Sequence, residues 1–356
     1  MQGTTQIESD FDIDAGSAAR KTLSRLALWL IGLGIVAALA YAVLTSGDNP
    51  ATTLSIFATR FLGIFIEAAP FLLLGTLVSG LLEVYVSKED IVRWMPRNPI
   101  LATLTGVMMG FAFPVCECGV IPVTRRLFTK GLPMSVGVAF LLAAPVMNPI
   151  VLVSTYIAFG QIAPGIVIGR FVITAIVAIS VGAIFALSAR PQEVLRPVSL
   201  VPLAGGSPDA VSATPKQMTL AAGLYRALRI GGDEFFEIGR FLVIGTLLAA
   251  TMQTLVPQET LVNLGEGPLQ SVLIMQALAF VLSVCSTVDS FLGLAFYGTF
   301  TNGSILAFLT FGPMVDIKST LMYAGVFKKK VVLYLILLPL LMTMLMGLWV
   351  NLYVRF

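Results

Sequence analysis

Phe65-Ile66-Glu67, followed by Phe71-Leu72 and Gly75-Thr76-Leu77, returns 170 positions later as Phe235-Phe236-Glu237, Phe241-Leu242 and Gly245-Thr246-Leu247. The echo continues. Val115-Cys116 reappears as Val284-Cys285 at a shift of 169, and Ala144-Pro145 with Asn148 reappears as Gly312-Pro313 with Asp316 at a shift of 168. Two related halves in a very apolar chain point to a membrane transporter built by internal duplication.

Working outward from that repeat, composition places the chain in a membrane. Hydrophobic residues make up 57% and charged residues 12%, with a mean hydropathy of +0.93. Soluble domains hold roughly 45–50% apolar and about 25% charged residues. The net charge of +3 is spread over loops, so no nucleic-acid surface is implied. Histidine is absent, which leaves carboxylates, thiols and hydroxyls to bind ligands or carry protons. Three cysteines in apolar surroundings do not make a disulfide framework.

Residues 1–21 carry Glu8, Asp10, Asp12 and Asp14 without an apolar run and read as a disordered cytoplasmic tail. An extra amino-terminal span follows within 22–48, its apolar core at 26–45. Ala38-Leu39-Ala40-Tyr41-Ala42 has the look of a signal-peptide cleavage site, but the run is longer than the ~7–15 residues of such segments, and it reads as a retained span. Further apolar segments cover 54–86, 99–115, 118–130, 133–158, 163–189, 219–256, 268–285, 287–300, 303–323 and 331–353. A span needs about 20 residues, so 99–115, 118–130, 268–285 and 287–300 are too short to cross alone. Each half is expected to hold one pair of half-helices that enter and leave on the same side.

Basic residues agree with that threading. Arg20, Lys21 and Arg25, then Lys88, Arg93 and Arg97, then Arg125, Arg126 and Lys130, then Arg190, Arg196 and Lys216, then Lys328-Lys329-Lys330 all fall on one side. The connections 46–53, 159–164, 256–268 and 299–304 contain no lysine or arginine and fall on the other, as the positive-inside rule requires. The expected fold is an all-α polytopic membrane protein of seven full spans and two re-entrant hairpins. Permease repeat 1 covers 52–189 and repeat 2 covers 219–354, in inverted topology, joined by a cytoplasmic linker at 190–218. The amino terminus is expected in the cytoplasm, with the protein in a bacterial inner membrane.

Non-helical backbone at membrane depth persists only where protein or a wet cavity satisfies its polar groups. The hairpin tips, Phe113-Pro114-Val115-Cys116-Glu117-Cys118-Gly119-Val120-Ile121-Pro122 and Val284-Cys285-Ser286-Thr287-Val288-Asp289-Ser290-Phe291, are therefore site candidates, brought together near the midplane by inverted symmetry. The next full spans are broken at Pro145-Val146-Met147-Asn148-Pro149 and Gly312-Pro313-Met314-Val315-Asp316, which puts Asn148 and Asp316 at equivalent breaks. Cys116 and Cys118 would diverge by about 160° on a helix and can share a ligand only if their tip is non-helical. With Cys285, two or three thiols could gather around a soft centre such as trivalent arsenic or Cu(I), or each could be a small buried hydrophobe. Glu67, Glu117, Glu237 and Asp289, with Asp316, are the available proton carriers. Glu237 has Arg240 three residues on, so a helix-surface pair competes with a relay role. Arg60 and Arg170 read as anchors near the outer interface.

Four runs carry a resemblance: 113–122, Ala-Ala-Pro-Val-Met-Asn-Pro at 143–149, Cys-Ser-Thr-Val-Asp-Ser-Phe at 285–291 and Gly-Pro-Met-Val-Asp-Ile-Lys at 312–318. Over about residues 52–354 the chain resembles the bacterial ArsP/YraQ-type permease family. The resemblance implies an inner-membrane permease. Its characterised branch implies efflux of trivalent organoarsenicals, and other relatives imply copper or zinc export. The family's thiol motif falls on Cys116 and Cys118, and its second-half motif on Cys285 and Asp289, so the second half has one thiol where the first has two.

The leading expectation is a secondary, proton-driven exporter of a soft small molecule or metalloid, working in the lipid bilayer, with no nucleic-acid partner and a homo-oligomer as one assembly it could form. No phosphate-cradling Gly-x-x-x-x-Gly-Lys-Ser/Thr loop is present, and no enzyme activity or cofactor is implied. A permease for another small solute, such as a sulfur compound or an anion, is the alternative. A membrane thiol oxidoreductase using Cys116 and Cys118 is a lesser one.

Overall fold

The computed structural model describes residues 32–38, 50–96, 98–113, 115–188, 195, 220–255 and 267–354. The tail at 1–21, most of the first span at 26–45 and the 190–218 linker lie outside the described residues, except for Leu195, which bridges to Phe327. Residues up to Thr59 form one unit and Arg60–Phe356 another. In the first unit residues 32–38 are helical, and the hydroxyls of Ser55 and Thr59 donate to the Thr52 and Ser55 carbonyls.

Thirteen helices are numbered here among the described residues from residue 50 on: α1 (Pro50–Tyr85), α2 (Lys88–Trp94), α3 (Pro99–Ala112), α4 (Glu117–Thr129), α5 (Met134–Met147), α6 (Pro149–Phe159), α7 (Pro164–Ser188), α8 (Leu220–Leu255), α9 (Pro268–Leu282), α10 (Asp289–Ala295), α11 (Asn302–Met314), α12 (Ile317–Val326) and α13 (Lys329–Tyr353). Among the described residues, six helical stretches are long and apolar enough to cross a membrane: Pro50–Tyr85, Met134–Phe159, Pro164–Leu187, Ala221–Leu255, Asn302–Val326 and Lys329–Tyr353. They match the six full spans expected in this part of the chain. The protein is an all-α polytopic membrane protein.

Local sequence sets the breaks. Asn148 ends α5 and caps α6, accepting from the Val151 amide at 2.9 Å, with Pro149 at the first helical position. Asp316, one residue past the Val315 cap that ends α11, caps α12 in a capping box with Ser319. The two residues read as equivalent breaks are equivalent caps.

The order of helices repeats. α1 and α8 are each 36 residues long and α7 and α13 each 25, while α3 and α9 are short, at 14 and 15 residues. Contacts repeat with them. A Cβ added at Gly182 would meet the Ser135 carbonyl at 2.8 Å and the Ala139 Cβ at 3.2 Å; at Gly347 it would meet the Gly303 carbonyl at 2.8 Å and the Ala307 Cβ at 3.2 Å. Ser135 to Gly303 and Ala139 to Ala307 are both shifts of 168, so one backbone crossing is built twice. Such close helix contacts need small residues at the interface. Gly347→Leu should force α11 and α13 apart at a cost of about 1–3 kcal/mol from overpacking, read as a lower melting temperature in detergent.

The register of the short helices is duplicated as well. Gly106 lies against Ala139 and Gly110 against Ala143, while Ser271 bonds Ser304 and Gly312 lies against Ala279; every pair is 33 residues apart. α3 therefore runs parallel to α5 and α9 parallel to α11, and the chain must turn back between them through α4 and α10. A 14-residue helix is only about 21 Å long. The repeat-equivalent α1 and α8 run antiparallel where they touch, with Gly80 against Ala227 and Gly231 against Thr76.

Candidate functional site

The two turn-backs meet in one cleft. From the first, Cys116 is the extended cap of α4, while Glu117 and Cys118 open the helix. From the second comes Cys285. α1 contributes Ile64, Glu67, Ala68 and Phe71, and α12 contributes Lys318. Glu67 neighbours Cys285, and Cys118 neighbours Cys116. All three thiols are free and buried. Among the described residues no three Cys, Asp or Glu side chains are grouped closely enough to hold a metal ion. The cleft is closed to less than the width of a water molecule.

Lys318 ties the parts together. Its ammonium lies 2.9 Å from Glu117 Oε1 and 2.8 Å from Asp316 Oδ2, and donates to the Ser283 carbonyl at 2.6 Å. Ser283 is in the left-handed region, with φ 48°, an unfavourable conformation for a residue with a Cβ. Its hydroxyl accepts from the Ile317 amide, so the strained tip is fastened to the start of α12 on both sides. The other Glu117 oxygen, Oε2, is buried without a hydrogen-bond partner among the described residues. Asn148 steadies the first tip, its amide donating to the Val115 and Ala144 carbonyls.

Asp289 lies outside this cleft, one turn beyond Cys285. Its carboxylate is held by both guanidinium nitrogens of Arg170, at 3.1 and 2.9 Å. Arg170 Nη1 also donates to Thr155 Oγ1 and Ser290 Oγ, each at 2.9 Å. The expected interfacial anchor is thus corrected: Arg170 is 0% exposed, because its guanidinium turns into the core to hold Asp289 with both terminal nitrogens. The two acids that open the turn-back helices are each matched by a cation from the opposite half, Glu117 by Lys318 and Asp289 by Arg170.

Glu237, the counterpart of Glu67, sits elsewhere too. It accepts from Arg125 at 2.8 Å rather than pairing with Arg240, whose guanidinium lies over the Phe241 ring at 4.8 Å. Glu234 takes a hydrogen bond from Ser79 at 2.6 Å and lies 3.5 Å from Arg126. Arg60 donates to the Gln253 carbonyl.

Of the residues singled out by sequence, Glu67, Cys116, Glu117, Cys118 and Cys285 share the cleft and Asp316 adjoins it through Lys318. Asn148 supports it, and Asp289 and Glu237 do not reach it. Sequence reasoning missed Lys318, although a lysine inside the apolar run after Gly312-Pro313 is the kind of intramembrane charge that marks a site.

Duplicated broken spans around a cleft of thiols and paired charges define a membrane permease. The chain belongs to the family described as ArsP_1, predicted permease, whose family model matches residues 53–352. It is 45% identical over 276 residues to the UPF0718 protein YcgR of Bacillus subtilis strain 168, covering 78% of this chain and 90% of that protein. It is 40% identical over 273 residues to a Streptococcus mutans protein named "Putative two-component membrane permease complex subunit", covering 77% and 87%. No solved structure matches the chain.

Proposed function

We propose that this permease exports a soft, thiophilic solute, a trivalent organoarsenical or a soft metal ion, by proton-coupled alternating access. The observation that carries the proposal is the meeting of Cys116 and Cys118 from one half with Cys285 from the other in a single cleft. Thiols bind soft centres and hold hard ions poorly. The short parallel helices act as re-entrant hairpins, entering from opposite faces because the two repeats are inverted across the membrane. Glu67 and Glu117 exchange protons as the cargo leaves, with Asp289 and Glu237 as further carriers at their own sites. The membrane is the bacterial inner membrane, with the amino terminus in the cytoplasm.

The cleft disfavours one class of alternative cargo. Its single ammonium, on Lys318, already faces Glu117 and Asp316, and Glu67 adds a third carboxyl. An anion entering there would meet excess negative charge in a poorly screened site. A neutral sulfur compound fits better and is the second reading, favoured by the lack of a metal-holding group of three among the described residues. A second subunit belongs to the proposal as well, by extension from the streptococcal relative's name.

Uptake into everted vesicles tests the cargo directly. Trivalent methylarsenical, arsenite and Cu(I) are offered with and without a proton gradient. The expected result is gradient-dependent accumulation of a thiophilic solute that Cys116→Ser/Cys118→Ser loses at least tenfold. Accumulation of none of the three would remove this cargo class.

A further inference from the structure

The thiol cleft and the repeat together locate a second, closed cleft. The 170-residue shift sends Glu67 to Glu237 and Phe71 to Phe241, and the 169-residue shift sends Cys116 to Cys285 and Glu117 to Ser286. These four residues would line the counterpart of the observed cleft. The two differ in how their helix acids are held: Glu67 has no salt bridge among the described residues, whereas Glu237 is pinned by Arg125 and neighbouring Glu234 by Arg126.

That fastening joins α4 to α8 and has no equivalent on the other side. The positions equivalent to Arg125 and Arg126 at a shift of 169 are Leu294 and Ala295 in α10. One more observation marks the counterpart as a place that opens. Ser286, the equivalent of Glu117, is 1% exposed, and its hydroxyl has no hydrogen-bond partner among the described residues. A buried hydroxyl left unpaired is unfavourable, and contact with solvent or cargo would relieve it.

We infer that Glu237, Phe241, Cys285 and Ser286 line a second cargo cleft, closed in this state by a one-sided latch of Arg125 on Glu237 and Arg126 on Glu234. Breaking the latch opens this cleft while the Glu67 side stays closed, and Cys285 passes from one cleft to the other with the cargo. Because α4 ends in the basic group Arg125, Arg126 and Lys130, the latched cleft faces the cytoplasm. It is the loading side for export. The inference rests on the alternating-access part of the proposed function and is independent of the cargo's identity.

The test reads thiol accessibility and needs no cargo. Ser286→Cys is placed as the sole cysteine, with Cys116, Cys118 and Cys285 changed to serine, and a membrane-impermeant maleimide is added to everted or right-side-out vesicles. Glu237→Gln should raise the labelling rate at least tenfold in everted vesicles only, and Arg125→Glu/Glu237→Arg, which rebuilds the pair, should return it toward the starting rate. Equal labelling with and without the latch, or a rise only in right-side-out vesicles, would overturn the inference. Should Glu237→Gln fail to accumulate in the membrane, Arg126→Gln weakens the same latch at its 3.5 Å pair and carries the same two readings. A labelling response without any uptake of thiophilic solutes would count against the cargo and leave the latch standing.

Discussion

Lys318→Met is expected to abolish transport and to destabilise the protein by about 3–5 kcal/mol, the usual cost of leaving buried charges without their partner. The magnitude follows from what the ammonium holds: Glu117, Asp316 and the carbonyl of the strained Ser283, all at 2.6–2.9 Å and all buried. Removing it leaves two carboxylates facing each other in the core. They must then take up protons or move apart, and either change alters the thiol cleft that Glu117 lines. Thermal unfolding in detergent checks the stability loss. Lys318→Met/Glu117→Gln/Asp316→Asn should recover most of it, since neutral groups of the same shape carry no such penalty, while transport stays lost because the carboxyl proposed to carry the proton is gone.

The second large effect is expected at Arg170. Its guanidinium is enclosed by Asp289, Thr155 and Ser290 and also reaches the Ser286 carbonyl. Arg170→Met should cost a further few kcal/mol, on the order of 3–5, by stranding Asp289. Asp289→Asn alone should cost less than Arg170→Met, and the two changes together should cost less than their sum. A double-mutant cycle on the melting transition measures that coupling, expected at roughly 1–3 kcal/mol for neighbours in one network. Additive losses would mean that the pair does not act as a unit.

The fold was legible where sequence patterns have one physical meaning. Six apolar runs became the six spanning stretches, because a hydrophobic run of that length has few other places to go. Pro145, Pro149 and Pro313 marked the broken spans, since each proline removes a backbone donor, and Asn148 and Asp316 emerged as the caps that such breaks need. The repeat was readable even in fine detail: Phe61–Pro70 and Gly231–Arg240 alternate between lipid and core in nearly the same pattern.

Pairing was harder to read than position. Local spacing offered Arg240 to Glu237 three residues away, yet Arg125, 112 positions distant, takes that place. Arg170 looked like an anchor because it stands near the start of its span, and nothing in α7 itself reveals that Asp289 comes to meet it from the other half. Lys318 was passed over for the same reason. Charge partners across halves are set by tertiary packing, and a single sequence carries periodicity within each helix but not which helices touch. The three cysteines were read as a group only because the repeat aligned the tips that hold them.

In the proposed cycle one cargo site is shared by the tips of both halves, with Cys285 as necessary as the first-half thiols. The most direct test is gradient-driven uptake of trivalent methylarsenical into everted vesicles by Cys285→Ser beside Cys116→Ser/Cys118→Ser and the unaltered protein. A loss of at least tenfold in both variants, at equal amounts of folded protein, is the predicted result. Undiminished accumulation by Cys285→Ser would contradict the shared site.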